Sequence, residues 1–135
     1  MAHDQTQNLS LEASAWGPEA AEWLEQAKGA ASLADLHAQA LAGAAVFLIR
    51  HEGQTVGAFL LRIDQTDGGP EGVIVAAAAS LHGVDMTATC LPAIEQKFKG
   101  CKTVRYHTGH PALARKMIRY GYMPAEIVSI KKLRA

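Results

Sequence analysis

The chain has 135 residues, 49% apolar and 19% charged, and its thirteen basic and thirteen acidic side chains cancel to a formal net charge of zero. That composition suits one globular domain with its own core and excludes a disordered chain. Neutrality excludes partners captured by a long-range field, so neither nucleic acid nor an acidic membrane is expected.

No run of about 18 apolar residues is present, and the opening MAHDQTQNLS lacks a positive stretch followed by an apolar one. Cys90 and Cys101 are the two cysteines, too few for a disulfide framework. The expectation is a cytoplasmic protein, one domain over residues 1–135, with residues 1–8 a disordered lead-in. The basic residues gather late, at Arg115, Lys116, Arg119, Lys131, Lys132 and Arg134. Without a nucleic-acid motif they read as a solvated helix face and a charged tail.

Leu9, Leu11 and Ala13 alternate with polar residues and predict a short strand. Gly17-Pro18 opens a helix with Ala20, Trp23, Leu24 and Ala27 on its apolar face, and Gly29 stops it. Ser32 caps a second helix, with Asp35 completing a capping box. Leu33, Leu36, Ala40 and Leu41 follow the helical period there, and Gly43 ends it. Ala45–His51 and Thr55–Ile63 are strands joined by a tight turn at Glu52-Gly53, a hairpin. Asp67-Gly68-Gly69-Pro70 turns the chain again, into the apolar run Gly72–Ala79, a strand buried on both faces. Its closing alanines leave room for close packing, most simply by a helix.

Ser80–Val84 is a loop, and Asp85 is the N-cap of a helix whose Met86, Cys90, Ile94 and Phe98 share one face. Pro92 lies inside that helix, so either the helix bends there or its regular part starts near Leu91. Gly100 ends it, and Lys102–His107 is a strand with Val104 and Tyr106 on one side. Pro111 opens a last helix, with Leu113, Met117 and Tyr120 facing one way and Gly121 closing it. A strand–helix–strand unit of this length requires parallel strands. The fold class is therefore α/β with a mixed sheet: an antiparallel meander leading into two central parallel strands, with helices on both faces.

The order strand, helix, KGCKTVRYHT, then HPALARKMIRYGYMPA, resembles the second half of the GNAT N-acyltransferases, over roughly residues 45–134. The HPALARK segment is similar to small GNAT-like proteins of phage and prophage genomes. The resemblance implies a final apolar strand within GYMPAEIVSIKKL. It also implies acetyl-CoA as cofactor, cradled by backbone N–H groups of Leu81, His82, Gly83, Val84, Asp85 and Met86 and by the following helix N-terminus. In the family that loop reads Q/R-x-x-G-x-G/A. Here the two glycine positions fall on Val84 and Met86 and the basic or amide position on Leu81, so the binding expected is weak.

The family often places a tyrosine acid four residues before the closing glycine, where this chain has Met117. Its asparagine at the helix start aligns with His110. Tyr106 and His110 are thus the candidates for proton transfer. Tyr120 reads as a core residue with its hydroxyl at the surface. His82, His107 and His110 fall near one another at the strand ends, but no zinc-type spacing accompanies them, and no metal is expected. The implied activity is acyl transfer to a small amine or a protein amine, with an oligomer compatible. A second reading stays open: a catalytically degenerate member acting as a binding or assembly module. A plain interaction module using the sheet edge is the third.

Overall fold

A computed structural model describes residues 8–27, 31–126 and 129–133. Residues 1–7 of the expected lead-in, and Gly29, lie outside that description. Asn8 is placed, and its side-chain amide donates to Glu52 at 3.3 Å.

Among the described residues, strands β1 (Leu9–Ser14), β2 (Ala45–His51), β3 (Gln54–Thr66), β4 (Gly69–Ala79) and β5 (Thr103–Tyr106) form one sheet in sequence order. β1 to β4 pair antiparallel and β4 to β5 parallel, as the α/β reading expects. The β2–β3 turn takes left-handed backbone at both Glu52 (φ 50°) and Gly53 (φ 80°), the hairpin geometry that matches strand twist.

Helices α1 (Pro18–Leu24) and α2 (Leu33–Leu41) cover one sheet face, and α3 (Met86–Gln96) and α4 (Pro111–Ile118) the other. Alternation along the strands sorts side chains between two cores. Ala20, Leu24, Leu36, Val46, Leu48 and Leu60 make the α1/α2 core. Phe59, Leu61, Ile74, Ile94, Phe98 and Met117 belong to the α3/α4 core. The capping box at the start of α2 forms in both directions: the Ser32 hydroxyl accepts from the Asp35 N–H at 3.2 Å, and the Asp35 carboxylate from the Ser32 N–H at 3.4 Å.

Three expectations need correcting. Leu41 is 77% exposed, because it is the last residue of α2, where the helix runs out beyond the sheet. Tyr120 is also surface-exposed. α4 stops at Ile118, so Tyr120 falls in the turn before Gly121 and no longer follows the helical period. No strand forms at 122–126 or 129–133, the described parts of the expected final strand. Pro124 removes a donor from that segment, which weakens any ladder built there. Ile127 and Val128 lie outside the described residues. Of the two options at Pro92, the late start near Leu91 does not occur: α3 begins at Met86, after the expected N-cap Asp85, and runs through Pro92. Pro92 stands on the exposed face, where solvent can take the carbonyl left without a donor.

Candidate active site

The site is made by a mismatch in strand length. β4 and β5 pair only from Glu71↔Thr103 to Ile74↔Tyr106. β4 continues to Ala79, while after Tyr106 the chain turns away toward α4. The edge of β4 from Val75 onward is therefore left open on the β5 side. A bulge adds to this: Leu60 faces Ala76 and Leu61 faces Ile74, so Val75 is the extra residue. The kink falls where the two strands part. Two close approaches set the frame at either end of β4. A Cβ on Gly57 would lie 2.6 Å from the Ala79 Cβ, and one on Gly72 would lie 2.5 Å from the Phe98 ring. Glycine is what lets β3 meet β4, and β4 meet the end of α3, at those distances.

A cleft of about 700 Å³ occupies the gap. Val75 to Ala79 line it along β4, Met86, Thr87 and Cys90 from α3, and Tyr106, Thr108 and His110 from the β5–α4 connection. Leu36 and Gln39 of α2 line its far end. Ala76 packs in the α1/α2 core while Ala77 and Ala79 are exposed, and all three line the cleft, which reaches residues of both sheet faces.

Three residues predicted for the site line this cleft: Met86, Tyr106 and His110. Leu81, His82, Gly83, Val84 and Asp85 do not line it; they form the loop and cap leading into α3. Leu81 packs against the α3/α4 core, His82 is exposed, and Gly83 is left-handed (φ 75°) with open space around it. The Val84 N–H donates to the Leu81 carbonyl at 3.1 Å, closing the turn.

Asp85 is the expected N-cap, and its Oδ1 accepts from the Ala88 N–H at 3.1 Å. The same oxygen accepts from Lys116 Nζ of α4 at 2.6 Å. The Lys116 ammonium, and then the Ala88 N–H, hold this carboxyl below the usual range. A depressed folded-state pKa gives stabilisation that is fully present above the unfolded value, about 3.9, and is lost as pH falls through the folded one. The pair is half exposed, so its contribution is small, less than about 1 kcal/mol. Lys116→Ala should therefore lower urea stability slightly at pH 7, and the difference should shrink below about pH 4. A difference that persists undiminished in acid would mean that Lys116 acts by packing.

On the other wall, Thr108 Oγ1 accepts from the His110 N–H at 3.0 Å and fixes the entry to α4. His110 occupies the N-cap position of α4 without a side-chain cap bond, leaving its exposed imidazole uncommitted to the helix. Tyr106 packs edge-on against Tyr122, centroids 5.4 Å apart, and Tyr122 donates to Glu95 at 3.2 Å. Burial pushes the Tyr106 hydroxyl up. Burial and the neighbouring Glu95 push Tyr122 up further. Both phenols therefore stay protonated and can donate but not act as bases at neutral pH. Burial also raises Cys90, which remains a thiol rather than a nucleophilic thiolate.

Sequence reasoning missed Lys116, Thr87 and Thr108. Lys116 carried a faint signal, a cation on the helix that follows the loop. Its pairing with Asp85 spans 31 residues and depends on how α4 docks beside α3.

No family model matches the sequence, and no curated protein matches it significantly. Solved structures do match the fold. The aminoglycoside N-acetyltransferase AAC(6')-Iy, in complex with CoA, superposes with a TM-score of 0.64 at 15% identity, over 94% of this chain and 95% of that one. A ribosomal-protein-alanine N-acetyltransferase from Brucella melitensis biovar Abortus 2308 gives 0.66 at 15%, over 93% and 99%. A GNAT family acetyltransferase from Elizabethkingia anophelis, with acetyl-CoA bound, gives 0.62 at 17%, over 85% and 74%. The antiparallel meander, the parallel β4–β5 pair parting around a cleft, and the flanking helices together give this chain the fold of the GNAT acetyltransferases.

Proposed function

We propose that the chain is an acetyl-CoA-dependent N-acyltransferase with weak cofactor affinity. The observation that carries this reading is the open β4 edge beyond Ile74, bordering a cleft that passes the first turn of α3. An exposed strand edge offers alternating N–H and C=O groups to an extended amide-bearing arm such as pantetheine. Backbone N–H groups of the Leu81–Met86 loop other than that of Val84, at the positive end of α3, would face the diphosphate. Tyr106, held protonated, would supply a proton to the departing thiolate, and His110 would assist removal of the proton from the amine.

A second reading has its own support. The loop carries one glycine, Gly83, and the first turn of α3 is already held by the Asp85 carboxylate clamped to Lys116. A diphosphate arriving there meets a like charge. That favours a GNAT-fold binding module without catalysis.

Thermal unfolding with acetyl-CoA separates the two. At millimolar acetyl-CoA the expected rise in melting temperature is small, less than about 2 °C, or less than about 1 kcal/mol by linkage. Val84→Gly with Met86→Gly should increase it by restoring close backbone approach. Slow CoA release in the presence of an amine should accompany the shift. No shift and no CoA release would leave the binding-module reading.

A further inference from the structure

The cleft holds no carboxylate among the described residues that line it. Arg62 is its charged lining residue, joined by the imidazoles His107 and His110. Arg62 is held by Asp64 and Gln39. Its Nε and Nη2 donate to Asp64 at 2.7 and 3.0 Å, and its Nη1 donates to Gln39. Three acidic groups on neighbouring elements have partners of their own. Asp64 is shared between Arg62 and Arg105. Asp85 holds Lys116 and the Ala88 N–H, and Glu95 accepts from Tyr122. None of the described residues lining these walls offers a carboxylate to an ammonium, and a full charge that leaves water without an opposite charge beside it is costly.

Resting on the acyltransferase reading above, we infer that the acceptor enters this cleft as an uncharged, weakly basic amine and not as a polycation or a lysine side chain. Aromatic amines are uncharged at neutral pH. A peptide α-amine, with an ordinary pKa near 7.7–8.0, is uncharged in roughly a tenth to a sixth of molecules at pH 7. A lysine ε-amine, near 10.4, is uncharged in fewer than about one in a thousand. The lone pair of the neutral amine attacks the thioester carbonyl carbon. A C–N bond forms, the C–S bond breaks, and the proton lost by nitrogen ends on the thiolate, giving amide and free CoA thiol. A neutral nucleophile needs no carboxylate to hold an ammonium first, which is how the walls are built. A multiply charged aminoglycoside, the substrate named for several proteins of the same fold, would bring cations to a cleft with no carboxylate among its described lining residues.

The test measures CoA thiol release by the whole chain with acetyl-CoA and four acceptors: an aromatic amine, a lysine-free peptide with a free N-terminus, an N-blocked peptide containing lysine, and an aminoglycoside. At least one uncharged-amine arm should exceed the lysine and aminoglycoside arms in kcat/KM by on the order of 10- to 100-fold. The first two arms tell the two sources of such an amine apart. Gln26→Glu adds an unpaired carboxylate at the α1 mouth of the cleft, and it should raise aminoglycoside turnover several-fold. Equal or better use of lysine or aminoglycoside by the unmodified chain overturns the inference. So does turnover of neither uncharged amine when calorimetry shows that acetyl-CoA binds. Absence of calorimetric binding defeats the cofactor reading itself, and the inference with it.

Discussion

Phe59→Ala should lower the unfolding free energy by about 3–5 kcal/mol, the range for deleting a fully buried aromatic ring. Phe59 has no exposed surface and lies in β3, paired with Phe47 on one side and Ala77 on the other. Its ring stacks on Phe47 at 5.1 Å and also borders the deep part of the cleft. The alanines of β4 cannot lean in to fill the space, so the cavity persists and its cost is added to the lost transfer energy. The melting temperature should fall by roughly 6–20 °C. Chemical denaturation with an unchanged slope would confirm a pure stability loss. A change below about 1 kcal/mol would mean that the sheet face around Phe59 can collapse, against the close packing described here.

Met117→Ala is expected to cost about 2–5 kcal/mol. Met117 is 4% exposed and belongs to the α3/α4 core, yet it also lines the cleft. It stands where the resemblance places a tyrosine acid, and a thioether donates no proton. Two effects should therefore appear together: lost stability from the core, and a wider cleft at the α4 wall. A surface-like stability response would remove Met117 from the core. Met117→Tyr restores a phenol at that place. If the acyltransferase reading holds, CoA release per folded molecule should rise in that variant, provided the larger ring is accommodated.

The sequence alone determined the elements from β1 to α4 and their order, because each rests on local chemistry, whereas the final strand it also predicted does not form at 122–126 or 129–133. Ser32 with Asp35, Asp85, Pro111 and the glycines at 43, 100 and 121 are caps and stops that act within one turn of the chain. The turn at Glu52-Gly53 and the length of the 86–100 crossover then dictated a hairpin and a parallel pair. Met86, Tyr106 and His110 were legible as cleft residues because the GNAT resemblance put strand ends and a helix start at one place.

Tertiary structure decided the rest. The cleft exists because β5 ends at Tyr106 while β4 runs to Ala79, and because Val75 bulges. Neither follows from hydropathy, since a paired and an unpaired strand end read alike. The clamp of Lys116 on Asp85 and the bond from Arg62 to Gln39 join residues far apart in sequence. Charge pairing at long range depends on how helices dock on the sheet. A sequence that sums to zero charge does not show where the charges meet.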